Sequence, residues 1–241
     1  MSKNLENKKV IVLGGTSGIG LATAIAAADQ GAIVTVVSSN QGNVDNALKE
    51  LPINTPGYAI NLTNETAIKN FFEQVGYFDH LIYTAGEKLL FGKLNSLNSN
   101  DIQEAFQVRY FGAVNAVKYG SKYILPGGSI VLTSGIAASR PQSGWTVGAS
   151  ICGAMESLTR SLAVELAPIR VNAVSPGFVK TNLWSDMDGE ERKAMYQHVA
   201  KSLPLQRVGE ADDIAQTYLY LMQEGFSTGQ IITVDGGALL V

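Results

Sequence analysis

The sequence predicts an α/β protein with a doubly wound parallel sheet of about seven strands and helices on both faces. Short apolar runs rich in Val and Ile alternate along the chain with helix-like stretches, and a glycine-rich segment directly follows the first run. Runs of this kind are typical of strands that are buried on both faces. The alternation favours a single parallel sheet with crossover helices.

Six apolar runs are predicted strands, and four stretches between them are predicted helices. The strand runs are 10–13, 33–37, 81–83, 130–132, 171–174 and 231–234. The helical stretches are 19–30, 65–75, 149–166 and 211–223. Thr63 is a candidate cap for the second helix, and Pro168 marks a point by which the third helix has ended.

The composition is that of one globular domain that binds small molecules or proteins. With 241 residues, 46% of them apolar, the chain can bury a substantial core, so we predict a single domain over 1–241. The polar segment 184–203 is predicted to be a mobile flap over a site. A net charge of −3 without a basic block argues against nucleic acid and anionic membranes as partners.

Cysteine content and the N-terminal sequence indicate a cytoplasmic protein. The single cysteine, Cys152, cannot form an internal disulfide, and the first residues have no apolar core like that of a signal peptide. No run approaches the roughly 18 apolar residues that span a bilayer. We assign no metal-binding residues.

A glycine-rich turn follows the first predicted strand and leads directly into a helix. It reads Gly14-Gly15-Thr16-Ser17-Gly18-Ile19-Gly20. Glycines let the backbone turn tightly and approach a pyrophosphate, whose charge is stabilised by free amides and by the helix dipole. The spacing differs from the commoner G-x-G-x-x-G, and a turn that binds nothing is the alternative. The strand-turn-helix context favours a Rossmann-type dinucleotide site.

Further segments extend this pattern over nearly the whole chain. They are 85–86, 158–166, 169–177, 207–209, 212–215, 228–230 and 234–237. Together with the glycine turn, they make the sequence resemble the short-chain dehydrogenase/reductases. The resemblance implies an NAD(P)-binding oxidoreductase that acts on a small carbonyl or alcohol. It also implies a homodimer or homotetramer that assembles through the long helices 101–119 and 149–166.

The resemblance also implies the residues of a dinucleotide site. They are Gly14, Thr16, Ser17, Gly18, Ile19, Gly20, Ser38, Ser39, Asn61, Leu62, Ala85, Gly86, Pro176, Gly177 and Thr181. The last three would surround the nicotinamide end. The absence of an acidic residue at 38–40 favours NADP over NAD, while leaving both open. Asn61 and Thr84 stand where the family carries aspartate and asparagine, and each still offers an oxygen acceptor.

The acid–base residues of that family are missing from this sequence. The family uses a tyrosine and a lysine four residues later, which share one helix face and supply the proton. No tyrosine here has a lysine four or seven residues after it. Depending on the register, the two positions carry Gly148 and Cys152, or Val147 and Ile151.

Two residues remain as catalytic candidates. Ser134 stands at or beside the family's serine position and would hold a substrate carbonyl. Arg109 stands at the asparagine position and would stabilise a carboxylate or an oxyanion, although it could equally pair with an acidic residue or fill space. Cys152 is better explained as a buried structural residue than as a nucleophile. Trp145 and Trp184 could line a substrate pocket or simply pack.

Three hypotheses follow from these residues. The chain is an NAD(P)-dependent oxidoreductase with a rearranged proton donor, an inactive relative that binds a dinucleotide as a sensor or structural ligand, or a scaffold subunit that has abandoned the cofactor. Losing an acid–base group typically costs ~10²–10⁴-fold in rate. Dinucleotide binding is therefore the stronger expectation, and efficient catalysis the weaker one.

Overall fold

Seven parallel strands form the centre of the molecule. The structure is a computed structural model that describes residues 5–86 and 89–241. The strand order is β3-β2-β1-β4-β5-β6-β7, and every neighbouring pair is parallel. The strands are β1 (Lys9–Leu13), β2 (Ile33–Ser38), β3 (Gly57–Ala59), β4 (Phe78–Tyr83), β5 (Ile124–Thr133), β6 (Arg170–Pro176) and β7 (Ile231–Val234).

The helices that connect these strands cover both faces of the sheet. They are α1 (Gly18–Asp29), α2 (Gln41–Ala47), α3 (Glu65–Val75), α4 (Ser99–Phe106), α5 (Ala113–Gly120), α6 (Thr146–Glu165), α7 (Gly189–Ser202) and α8 (Ala211–Gln223). Within the described ranges, none of them has the length and apolar character needed to cross a membrane.

Alternate side chains along the strands pack into two separate hydrophobic cores, one on each face of the sheet. On β1, Ile11 and Leu13 pack toward α3, α5 and α6, whereas Val10 and Val12 pack toward α1 and α8. Successive side chains of a strand point to opposite faces, so a strand that is covered on both sides is apolar at most positions. This explains why the predicted strands read as continuous Val and Ile runs.

The predicted fold class is confirmed, and all six predicted strands lie in the sheet. The predicted helices 65–75 and 211–223 have the observed bounds of α3 and α8, and the other two are shifted by one to three residues. The sequence analysis missed β3, which has only three residues at the edge of the sheet. So short a strand carries too little periodicity to stand out.

Two local predictions need correction. Asn64, not Thr63, caps α3, because its Oδ1 atom accepts a hydrogen bond from the amide of Ala67 at 3.0 Å. The hydroxyl of Thr63 instead donates to Oδ1 of Asn61. The long helix expected at 101–119 is interrupted by a π-helical turn, Gln107–Gly112, between α4 and α5.

A buried histidine lies in the middle of the sheet, away from the crevice described below. Nδ1 of His80 on β4 is 2.8 Å from the Ser129 hydroxyl on β5, and only 3% of the residue is exposed. Burial lowers the pKa of His80 to about 4, because a charged imidazole would lose its hydration there. His80 is therefore neutral in the folded chain at neutral pH.

Lowering the pH from 7 to 5 is expected to destabilise the protein by about 2 kcal/mol through His80 alone. An unfolded histidine titrates near pH 6.5, so in this range the unfolded chain binds a proton that the folded chain excludes. This contribution to stability is complete above pH 6.5 and is lost as the pH falls toward 4. Urea unfolding of the wild type and of His80→Asn at both pH values measures it.

The matched control is His198→Gln, since His198 is the only other histidine and is exposed on α7. The control is expected to keep the wild-type pH dependence, whereas His80→Asn loses most of it. If the free energy of unfolding depended equally on pH in the wild type and in His80→Asn, the pH dependence could not be assigned to His80.

Candidate functional site

A cleft of about 820 Å³ opens at the carboxyl ends of the strands, where β1 and β4 lead to opposite halves of the sheet. Ligands of open parallel sheets bind at such a switch point. All seventeen residues that the sequence analysis assigned to the site line this cleft, from Gly14 to Thr181. The structure therefore brings the candidate site together in one place.

The glycine turn forms one end of the cleft because its backbone packs against β4. Gly14 has φ +87°, and a Cβ atom built there would lie 2.5 Å from the amide nitrogen of Ala85. A Cβ on Gly20 would lie 2.2 Å from the carbonyl oxygen of Gly14 and 2.4 Å from Oγ1 of Thr84. Helix α1 begins here, and its N-cap residue, Ser17, does not use its side chain for capping. Free amides at this terminus suit an anionic group.

The edge of the cleft beside β2 and β3 is polar and uncharged. Ser38, Ser39 and Asn43 line it, and the sequence analysis had not identified Asn43. Oδ1 of Asn61 accepts hydrogen bonds from the amide and the hydroxyl of Thr63, at 2.9 and 2.8 Å. The oxygen acceptor expected of Asn61 is thus engaged by Thr63.

The end of β4 joins the glycine turn to the catalytic candidates. The hydroxyl of Thr84 lies 3.2 and 3.3 Å from the carbonyl oxygens of Leu13 and Gly14. It acts here as a donor to the first strand and its turn, not as the acceptor that the sequence suggested. Gly86 follows Thr84 by two residues, and the guanidinium of Arg109 lies over it. A Cβ atom built on Gly86 would be 2.6 Å from Nη1 of Arg109.

Arg109 is carried by the π-helical turn. The hydroxyl of Tyr83, at the end of β4, donates to the carbonyl oxygen of Val108 at 2.5 Å. A π-helical turn shifts the helical hydrogen-bond pattern by one residue and often marks a functional site. The sequence analysis missed Tyr83, because nothing in the sequence links it to a residue 25 positions away.

Helix α6 forms the opposite wall. Gly148 and Cys152 both line the cleft, whereas Val147, one residue earlier, packs in the core. The hydroxyl of Ser134 donates to the carbonyl oxygen of Cys152 at 3.1 Å and lies 3.4 Å from Oε1 of Glu156. Ser134 therefore connects the end of β5 to α6.

Electrostatics around Cys152 keep its thiol protonated. Burial raises the pKa of Cys152, and this effect exceeds the opposing influence of the positive charge on Arg109. A thiolate is the reactive form of cysteine. At neutral pH this side chain is thus a weakly polar part of the wall, in keeping with the structural role expected for it.

The end of β6 and the loop after it form another part of the cleft lining, with Pro176, Gly177 and Thr181. A Cβ atom on Gly177 would lie 2.7 Å from Cα of Asp235, so only glycine fits there. Thr181 lies across from the glycine turn, since a Cβ built on Gly18 would be 3.2 Å from the Thr181 side chain. The predicted Pro176, Gly177 and Thr181 thus line the same cleft as the turn that follows β1, and Thr181 approaches that turn directly.

Comparison with known proteins assigns this architecture to a class. Residues 14–238 match the family model described as enoyl-(acyl carrier protein) reductase. A short-chain dehydrogenase/reductase of Acremonium sp is 36% identical over 98% of this chain and 97% of its own length. The chain therefore belongs to the short-chain dehydrogenase/reductase family of NAD(P)-dependent oxidoreductases.

Two solved structures agree with this assignment. A small-chain dehydrogenase in complex with NADPH is 40% identical, with a TM-score of 0.88, and the match covers 98% of this chain and 100% of the other. The MalC reductase/Diels-Alderase from Malbranchea aurantiaca is 29% identical, with a TM-score of 0.92, over 100% of both chains.

Replacing Gly20 with alanine is expected to abolish dinucleotide binding, because the added methyl group would collide with the Gly14 carbonyl and the Thr84 hydroxyl. The matched control is Gly153→Ala on α6, where a Cβ atom meets nothing within 4 Å. The shift of the thermal unfolding midpoint by NADPH measures binding in both variants. A full shift in a folded Gly20→Ala variant would show that the turn does not hold the nucleotide.

Proposed function

We propose that this chain is an NADP-dependent carbonyl reductase in which Arg109 stabilises the negative charge that develops on the substrate oxygen. The position of its guanidinium supports this proposal most directly. It lies over Gly86 and acts electrostatically on Cys152, and it is the only charged side chain among the described residues that line the cleft. Gly148 and Cys152 both line the cleft, whereas of the alternative pair Ile151 lines it and Val147 does not, which favours the register that puts Gly148 and Cys152 in the two acid–base positions.

The proposed reduction depends more on a positive charge that stabilises the substrate oxygen than on a side chain that donates a proton. A bound nicotinamide cofactor supplies the hydride. As the carbonyl oxygen gains negative charge, the fixed N–H donors of Arg109 stabilise it in a partly water-excluded site. A guanidinium does not release its proton in proteins, so the proton that completes the alcohol comes from water.

Ser134 and Cys152 have supporting parts in this proposal. The Ser134 hydroxyl donates a hydrogen bond to the Cys152 carbonyl oxygen. In this orientation it cannot also donate one to a substrate carbonyl. We propose Ser134 as a positioning residue that holds α6 against β5. The protonated thiol of Cys152 serves as wall and not as nucleophile.

The preference for NADP is inferred from the polar edge near β2. Ser38, Ser39 and Asn43 offer hydrogen-bond donors and no carboxylate that would repel a 2′-phosphate. A similar protein, 40% identical to this chain, forms a complex with NADPH. Both observations favour NADP without a dedicated basic residue at 38–40.

Thermal unfolding with millimolar NAD, NADH, NADP or NADPH tests cofactor binding. A ligand at a hundred times its Kd stabilises the native state by ~2.7 kcal/mol, which corresponds to roughly 5–10 °C for a chain of this size. NADPH is expected to give the largest shift. A larger shift with NADH would overturn the NADP preference, and the absence of any shift would overturn dinucleotide binding and favour a scaffold.

Arg109→Ala is expected to lower kcat by roughly 10²–10³-fold, as the loss of one oxyanion donor does in other enzymes. The readout is NADPH consumption with 1-phenyl-1,2-propanedione, and the thermal shift with NADPH should remain. Lys118→Ala, which removes an exposed positive charge from α5, is the control. An unchanged kcat in Arg109→Ala would exclude the proposed role, and binding without turnover in the wild type would favour a sensor.

Assembly and closure complete the proposal. Phe111 and Val164 are exposed apolar residues on the helices through which a homodimer or homotetramer would form, with 81% of Val164 exposed. Light scattering that finds a monomer at micromolar concentration would reject this. We also propose that segment 184–203 pivots about the anchored Trp184 and closes over bound nucleotide, since Trp184 and Ser185 line the cleft. Closure should slow limited proteolysis within α7.

A further inference from the structure

We infer that the substrate is a neutral, planar, multi-ring carbonyl compound, whose body occupies a recess at Gly148 against a wall of four aromatic rings. This inference rests on the proposed reductase function and specifies its substrate class. The two decisive features are the open space at Gly148 and the four aromatic residues that line the same cleft.

The recess lies on the cleft side of α6. Gly148 lines the cleft, and a Cβ atom built there would meet nothing within 4 Å. Over the next two turns of the helix, Ile151, Cys152 and Met155 continue the wall with apolar or weakly polar side chains. The position that would carry a large side chain in the tyrosine register therefore provides room for a ligand.

Four aromatic side chains contact one another in a closed ring at the cleft; we call them the aromatic quartet. They are Phe91, Trp145, Phe178 and Trp184, and all four line the cleft. Trp184 is stacked on Phe178 at 5.7 Å and on Phe91 at 6.2 Å, with interplanar angles of 15° and 14°. Trp145 contacts both phenylalanines at 5.5 and 5.8 Å with tilted planes.

Two hydrogen bonds to the backbone hold the quartet in place. Trp184 is buried, and its Nε1 donates to the carbonyl oxygen of Val179 at 3.0 Å. The loop of Phe91 is tied to the segment before Trp145, because the Gly92 amide donates to the Gly144 carbonyl at 2.9 Å. A wall of pre-oriented rings binds a flat aromatic surface without a large loss of side-chain entropy.

Charge in the cleft restricts the substrate further. Arg109 is the only charged side chain among the described lining residues, and its guanidinium lies over Gly86 after β4. The remaining wall near the quartet is aliphatic, with Leu90, Ile136 and Leu183. A neutral carbonyl can direct its oxygen to Arg109 while its rings contact the quartet, whereas a small aliphatic carbonyl leaves both the rings and the recess unfilled.

The test compares two α-diketones with the same reacting group but different bodies. Acenaphthenequinone is planar and has three fused rings, and 2,3-butanedione is small and aliphatic. The expected kcat/KM for acenaphthenequinone with NADPH is at least about tenfold higher, since each aromatic pair adds ~0.5–1.5 kcal/mol beyond its buried area. Gly148→Phe fills the recess and is expected to remove most of this advantage, because it lowers kcat/KM for acenaphthenequinone more than kcat/KM for 2,3-butanedione.

Three comparisons keep the result interpretable. Gly153→Ala is the control on the exposed side of α6, and it should behave as the wild type. Gly148→Leu repeats the test if Gly148→Phe does not fold, which the thermal midpoint and its NADPH shift reveal. Binding of acenaphthenequinone to the NADP-saturated protein, seen by quenching of the chain's two tryptophans, provides a readout without turnover.

The outcomes separate this inference from the function on which it rests. Equal reduction of both diketones, or no selective loss in the filled variants, would overturn the inference and leave the reductase function intact. Saturable quenching that the filled variants lose, without NADPH consumption for any carbonyl, would overturn the function but support the aromatic site. Absence of both quenching and selectivity would overturn the inference.

Discussion

The close approach of two backbone segments at the switch point of the sheet determines the rest of the cleft. Gly14 follows β1, and Ala85 follows β4, and no side chain could fit between them. The Thr84 hydroxyl reaches the carbonyl oxygens of Leu13 and Gly14 across the same gap. Because this distance is fixed, the start of α1, the end of β4 and the guanidinium over Gly86 have defined positions relative to one another.

Much of this arrangement could be predicted from the sequence because its causes are local. The glycines of the turn, the Val and Ile runs and the Pro176-Gly177 pair each signal a backbone requirement within a few residues. Contacts between distant elements give no such signal. The bond from Tyr83 to the π-helical turn and the stacking of Phe91 on Trp184 depend on how the chain folds back on itself. Trp145 and Trp184 could be suspected as pocket residues, but their common wall could not.

The difference between local and long-range signals also explains why the hydrogen-bond roles expected of two site residues were wrong. Asn61 and Thr84 were assigned as acceptors from their chemical type alone, which is a property of one residue. In the folded chain Thr63 occupies the oxygen of Asn61, and β1 takes the hydroxyl of Thr84. Polar groups with local partners satisfy those partners first, so the residue type at a ligand site does not by itself give the direction of its hydrogen bonds.

Helix α6 shows why the fold tolerates a change in its chemistry. Its buried face consists of Val147, Ile151, Met155, Thr159 and Ala163, spaced four residues apart. Gly148 and Cys152 lie one position later, on a stripe that faces the cleft. Residues on this stripe contribute little to the core, so their identity can change without a cost in packing. Stability and chemistry are thus encoded on adjacent stripes of one helix. A chain that lacks a tyrosine and a lysine on the second stripe can therefore keep the whole fold. Under the proposed function, Gly148 leaves room for a substrate and Arg109 stabilises the charge that develops on it.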